Sequence, residues 1–255
     1  MRPPILFIHG AFTRARRWRP WLTYFTDAGY KCVAPSLPAH DPPDPARLAS
    51  LTFTDYLAAM TAAHSALDRP PIVIGHSLGG LIAQHVAAIM PCAGLVLVSS
   101  AAPWRTGTTR HALPYAFSYV LPVLSGGPIR ANPRAALELV LHDLPPAEQR
   151  ELAPIFAFES GRAYRTMVFG GAPIADGAVT CPVLCLSGGA DRLIKPAVSA
   201  RLAAFYGADH LVFPGRGHSL VSASLMDSVA AYVRDWIDGL AEPIPEPSFQ
   251  ASAAV

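Results

Sequence analysis

A chain of 255 residues, 51% of them hydrophobic and only 15% charged, has ample material for one compact core, which excludes disorder over most of its length. Its formal net charge of +2 is not gathered into a long basic block, so nucleic acid is not an expected partner. No apolar run reaches the roughly 18 residues of a membrane span, and the stretch after Met1-Arg2-Pro3-Pro4 is too short for a signal core, so a cytoplasmic protein is the default expectation.

In chain order, short runs rich in Val, Ile and Leu predict strands at Ile5–His9, Lys31–Pro35, Pro71–Gly75, Gly94–Ser99, Val183–Ser187 and His210–Phe213. Continuous apolar runs of this kind suit strands buried on both faces. Helical patterns lie between them, at Trp18–Ala28, Phe53–Leu67, Leu78–Met90, Pro196–Phe205 and Ser222–Leu240. Strand–helix alternation predicts an α/β fold, a mostly parallel doubly wound sheet of about six strands. The stretch Pro103–Val179 breaks the rhythm. It shows no convincing strand and reads as short helices at His111–Leu124, Pro133–His142, Pro146–Phe158 and Gly161–Phe169. The expected organisation is a core of residues 1–102 and 180–241, a helical cap of residues 103–179 over the sheet's C-terminal edge, and a Pro-rich tail of residues 242–255 that frays.

The chemistry centres on Gly75-His76-Ser77-Leu78-Gly79, between an apolar strand and an apolar helix. G-x-S-x-G in that context makes a turn so sharp that the serine hydroxyl projects above the sheet. Ser77 is the expected nucleophile. Its base is expected in Gly217-His218-Ser219, a glycine-flanked loop after the last strand. His64, His85, His111, His142 and His210 suit the role less well, and His9 reads as a structural histidine bonding to loop backbone. For the acid, Asp191 follows the strand Val183–Ser187, where a carboxylate can orient the imidazole. An alternative place one strand earlier reads Ser99-Ser100-Ala101-Ala102 and holds no carboxylate. The oxyanion donors are expected to be the backbone N–H groups of Leu78 and Ala11, with Phe12 as a lesser candidate. Expected pocket residues are Phe12, His76, Tyr115, Tyr119 and Phe156. The cysteines Cys32, Cys92, Cys181 and Cys185 form no CxxC and read as buried free thiols, and no metal or cofactor is expected.

With these residues in view, the chain resembles the α/β-hydrolase superfamily. The resemblance rests on His9-Gly10-Ala11-Phe12, Gly75 to Gly80, Gly189-Ala190-Asp191-Arg192 and Gly217-His218-Ser219, and runs from Ile5 to about Leu240. Val33 to His40 looks like a family segment that usually reads D-L-P-G-H-G, with Ser36, Ala39 and Asp41 departing from it. The His-Gly-Ala start is similar to the esterase and hydroxynitrile-lyase branch. A threonine and a lysine usual in the lyases are replaced by Ala11 and Ser219. The resemblance implies cleavage of a small apolar or aromatic ester or lactone through an acyl-enzyme. Its alternatives are a thioesterase or acyltransferase, which the arginines Arg14, Arg16, Arg17 and Arg19 would serve by binding an anionic carrier, a lyase or cofactor-free oxygenase, and a ligand-binding receptor.

Overall fold

The computed structural model describes residues 2–107 and 109–240. The expected fraying tail, residues 242–255, lies outside the described residues. A six-stranded sheet is built from β1 (Ile5–Ile8), β2 (Cys32–Val33), β3 (Ile72–His76), β4 (Gly94–Val98), β7 (Val183–Gly188) and β8 (Asp209–Phe213). Their order is β2-β1-β3-β4-β7-β8, with every pairing parallel. The alternation of side chains along each strand builds two cores. Leu6, Ile8, Val73, Leu95, Leu97 and Cys185 face one way. They meet α3 (Phe53–Ser65), α4 (Leu78–Ile89) and α9 (Pro196–Tyr206), which follow α2 (Pro45–Leu48) in the same layer. Ile5, Phe7, Ile74, Val96 and Leu184 face the other way, against Trp18, Trp21 and Phe25 of the first helical stretch and Val229, Val233 and Ile237 of the last. That stretch is α1 (Arg19–Asp27) with its preceding turn. The expected α/β fold is therefore present.

The last stretch departs from the single helix expected over Ser222–Leu240. A tight turn at Ala223–Leu225 and a widened turn at Met226–Ala230 precede the regular helix Ala231–Gly239. The buried residues Leu225, Val229, Val233 and Ile237 recur every fourth position. In a straight α-helix that spacing drifts by about 40° per step, and a widened turn takes up the drift, keeping the four on the sheet.

Between β4 and β7 the chain forms α5 (Leu113–Ser125), β5 (Pro128–Arg130), α6 (Pro133–Ala135), α7 (Pro146–Leu152), β6 (Phe158–Ser160) and α8 (Gly161–Phe169). The regular helix Ala231–Gly239 is α10. The expectation that this segment has no strand is corrected: β5 and β6 pair antiparallel, with Ile129 opposite Glu159. Two three-residue strands show no alternation in sequence, and their pairing joins residues about thirty positions apart. The helix expected over Pro146–Phe158 accordingly stops at Leu152, runs through a turn at Ala153–Ile155, and gives up Phe158 to β6. The four cysteines are free, as expected, but only Cys185 is buried; Cys181 precedes β7 and is half-buried, as are Cys32 and Cys92.

Candidate active site

Strand β3 ends at His76 and helix α4 begins at Leu78, so Ser77 alone makes the turn. Its φ of 55° and ψ of −120° lie where an L-residue is strained, at a cost of about 1–3 kcal/mol. The surroundings hold it there. Ser77 N–H donates to Val98 at 3.1 Å, and Ala101 N–H donates to the Ser77 carbonyl at 3.0 Å. A Cβ on Gly75 would collide with the backbone of Gly79, and one on Gly79 with the carbonyls of Ile8 and His9. Gly79→Ala is thus expected to lower the urea unfolding free energy by at least about 1–3 kcal/mol, because neither backbone can yield.

His218 and Asp191 arrive from the two neighbouring strand ends. His218 Nδ1 donates to Asp191 Oδ2 at 2.8 Å, with both side chains buried. The other carboxylate oxygen, Oδ1, accepts from the N–H groups of Leu193 at 2.7 Å and Ile194 at 2.9 Å, so the acid is held on both oxygens. Gly188 allows this meeting, because a Cβ there would strike the carbonyls of Arg216 and Gly217. His76 Nε2 donates to the His218 carbonyl at 2.9 Å and braces the loop from the Ser77 side. Burial pushes the His76 pKa well down, with the neighbouring His218 adding to it, so its ring is neutral.

The loop after β1 is tied from both sides. His9 Nδ1 donates to the Gly10 carbonyl at 2.9 Å, and its Nε2 accepts from Leu37 N–H at 2.9 Å. Burial lowers the His9 pKa to about 3. His9 therefore organises backbone. Phe12 has a φ of 64°, unusual for a bulky residue, and both its backbone groups are pinned. Its N–H donates to Glu159 Oε2 at 3.1 Å, and its carbonyl accepts from Ala157 N–H at 2.9 Å. The Phe12 N–H is thus engaged by Glu159. Leu78 opens α4, and the first N–H groups of a helix have no partner within it. Gly10 brings the loop onto the serine; a Cβ there would lie 3.1 Å from that of Ser77.

Glu159 was not among the expected residues. It is fully buried, and besides Phe12 it accepts from Tyr56 Oη at 2.6 Å, from its neighbour Ser160 N–H at 2.8 Å and from His40 Nε2 at 3.3 Å. Burial alone would raise its pKa. The His40 charge and the hydrogen bonds from His40, Tyr56 and Ser160 outweigh that and hold it below the usual value. His40 is held above its own usual value by the same pair, against the opposing effect of burial. Ala39, standing where the resembled segment has glycine, takes a φ of 63° and turns His40 inward. The His40 signal was present in that segment. Glu159 carried none, because it sits on a strand invisible in the sequence.

A cavity of about 130 Å³ opens above Ser77, bordered by His218, Ala11, Phe12, His76, Tyr119 and Phe156. Tyr164 and Arg17 also line it and were not expected there. The rings of Phe12 and Tyr119 stack at 5.9 Å, and Tyr164 lies 5.4 Å from Phe12. Tyr115 is a correction. It borders an adjoining cavity of about 260 Å³, and its hydroxyl donates to Glu138. Residues 115 and 119 are about one helical turn apart on α5, and both border the adjoining cavity. Tyr119 and Tyr164 border both cavities.

A model of the alpha/beta hydrolase family matches residues 5–235. The chain belongs to the alpha/beta hydrolase family. Among curated relatives, this alpha/beta hydrolase is 27% identical to a pyrethroid hydrolase from Sphingobium wenxiniae over 164 residues, which are 57% of this chain and 59% of the relative. The match thus spans less than two thirds of that relative's length. Among solved structures, a methylesterase from Arabidopsis superposes with a TM-score of 0.73 at 15% identity, covering 92% of this chain and 98% of that one. A pyrethroid hydrolase from Sphingobium faniae gives 0.74 at 21% identity, covering 93% and 98%. At these identities the solved structures share the alpha/beta hydrolase fold. No helix among the described residues of this alpha/beta hydrolase is long and apolar enough to cross a membrane.

Proposed function

We propose that this alpha/beta hydrolase cleaves small apolar or aromatic carboxylic esters through an acyl-enzyme on Ser77. The observation that carries the reading is one cavity bordered by both Ser77 and His218, with the His218 ring already bound to Asp191 through Nδ1. That bond leaves Nε2 free to take a proton. Ser77 Oγ attacks the ester carbonyl while His218 Nε2 accepts its proton. The oxyanion of the tetrahedral intermediate is met by Ala11 N–H and Leu78 N–H at the N-terminus of α4. Collapse expels the alcohol, which takes the proton from His218. Water, deprotonated by the same nitrogen, then attacks the acyl-enzyme, and as the second intermediate collapses His218 returns that proton to Ser77 Oγ and the acid is released. Asp191 orients the imidazole and stabilises its cation.

Residues 103–179 serve as the cap in this proposal. Phe156, Tyr119 and Tyr164 come from it and give the cavity aromatic walls, which suits an apolar acyl or aryl group. The names of the relatives agree with ester chemistry. The test is trapping with a fluorophosphonate. One adduct per chain is expected on the peptide that contains Ser77, together with loss of p-nitrophenyl acetate turnover. Full turnover without labelling of Ser77 would overturn the proposal.

A further inference from the structure

Four arginines follow the oxyanion loop, and the structure gives them different surroundings. Arg16 and Arg19 are exposed, and Arg14 lies 3.5 Å from Asp41. Arg17 is 4% exposed and lines the cavity above Ser77. Among the described residues bordering that cavity, it is the one permanently charged side chain.

Its hydrogen-bond partners are neutral. Nη2 donates to Ser219 Oγ and to Ser222 Oγ, the latter at 2.7 Å. A guanidinium has five N–H donors, and no carboxylate among the described residues lies within salt-bridge distance of this one. Arg17 also borders a second cavity together with Glu148 and Glu151, and Glu148 accepts from Ala223 N–H at 2.7 Å. Burial lowers the Arg17 pKa to about 10, with the two glutamates opposing, so it remains a cation at neutral pH. The two glutamates offset only part of the cost of burial, so a buried cation whose hydrogen bonds go to neutral hydroxyls gains from an anion that completes it. Ser219, which receives its hydrogen bond, directly follows His218 and borders the same cavity.

We propose that Arg17 forms a carboxylate-binding subsite in the Ser77 cavity, so that the preferred substrate is an ester bearing a free carboxylate on an apolar body. This rests on the ester-hydrolase reading above. The guanidinium takes the carboxylate by charge-assisted hydrogen bonds, the aromatic walls take the apolar body, and the ester carbonyl reaches Ser77. Half-esters of dicarboxylic acids have this chemistry. A purely structural Arg17, tying down the His218 loop, would affect charged and neutral esters alike.

The test compares the monomethyl esters of succinic, adipic and sebacic acid with their neutral isosteres, in which the free acid is a primary amide. For at least one length the wild-type kcat/KM is expected to favour the carboxylate by on the order of 10- to 100-fold, mainly through KM, and salt should reduce the preference. Arg17→Met should bring the ratio towards one, and Arg17→Lys should keep part of it. Should Arg17→Met fail to fold, the wild-type ratio and its salt dependence decide. Where turnover is too slow to measure, the same ratio is read as protection of Ser77 from fluorophosphonate. A ratio of one or less at all three lengths, with Ser77 labelled normally, overturns the subsite and leaves the hydrolase standing. Absence of both labelling and turnover overturns the hydrolase reading itself.

Discussion

Ser77→Ala is expected to reduce p-nitrophenyl ester turnover by roughly 10³- to 10⁶-fold while the protein stays folded. The nucleophile's oxygen disappears, but the backbone ties to Val98 and Ala101 involve main-chain atoms and remain. A residual rate would come from the oxyanion donors and binding alone. The φ of 55° adds a second readout. Glycine adopts such a conformation without a Cβ penalty. Ser77→Gly should therefore melt at or above the temperature of Ser77→Ala while being equally inactive. Turnover by Ser77→Ala at the wild-type rate would remove Ser77 from the mechanism.

Glu159→Gln is expected to be the most destabilising of the single-atom exchanges at this site. It removes the charge from a fully buried carboxylate and leaves His40 facing an amide. Removing one partner of a buried pair costs about 3–5 kcal/mol. At roughly 2–4 °C per kcal/mol for a chain of this size, melting should fall by roughly 6–20 °C. The Phe12 N–H loses its charged acceptor, so kcat should drop on the order of tenfold with KM little changed, through displacement of Ala11. The pH dependence has a sign. Glu159 is held below its usual 4.5, so its contribution is complete above pH 4.5 and is lost as pH falls through its folded value. His40 is held above its usual 6.5, so its contribution is complete below pH 6.5 and is lost as pH rises through its folded value. The pair should stabilise most between pH 4.5 and 6.5. In Glu159→Gln the losses of stability below pH 4.5 and above pH 6.5 should both shrink; an unchanged profile in thermal melts at stepped pH would show that the pair contributes nothing.

Much of the molecule was legible in the residues alone. Ile5–Ile8, Ile72–His76 and Val183–Gly188 announce themselves because strands buried on both faces need unbroken apolar runs. Ser77 was legible because the turn it occupies demands small residues at Gly75 and Gly79, and Asp191 and His218 because each follows a strand on a glycine-rich loop. The roles proposed for these three rest on local constraints that short stretches of sequence record.

The residues that appear only in three dimensions are those whose partners lie far away along the chain. Glu159 meets Phe12, Tyr56 and His40 across 147, 103 and 119 positions. Arg17 reaches Ser219 and Ser222 across 202 and 205 positions, and nothing in Arg14–Arg19 says which of the four arginines turns inward. Tyr115 and Tyr119 were equal candidates, and only the packing of α5 shows that Tyr119 borders both cavities while Tyr115 borders the adjoining one. The sequence by itself determined the sheet, its sharp serine turn and the two loops that face it, because periodicity and backbone sterics act between neighbours. The tertiary structure decided how the loop after β1 is clamped and which charge borders the cavity, because burial and pairing of charges depend on what the fold brings alongside.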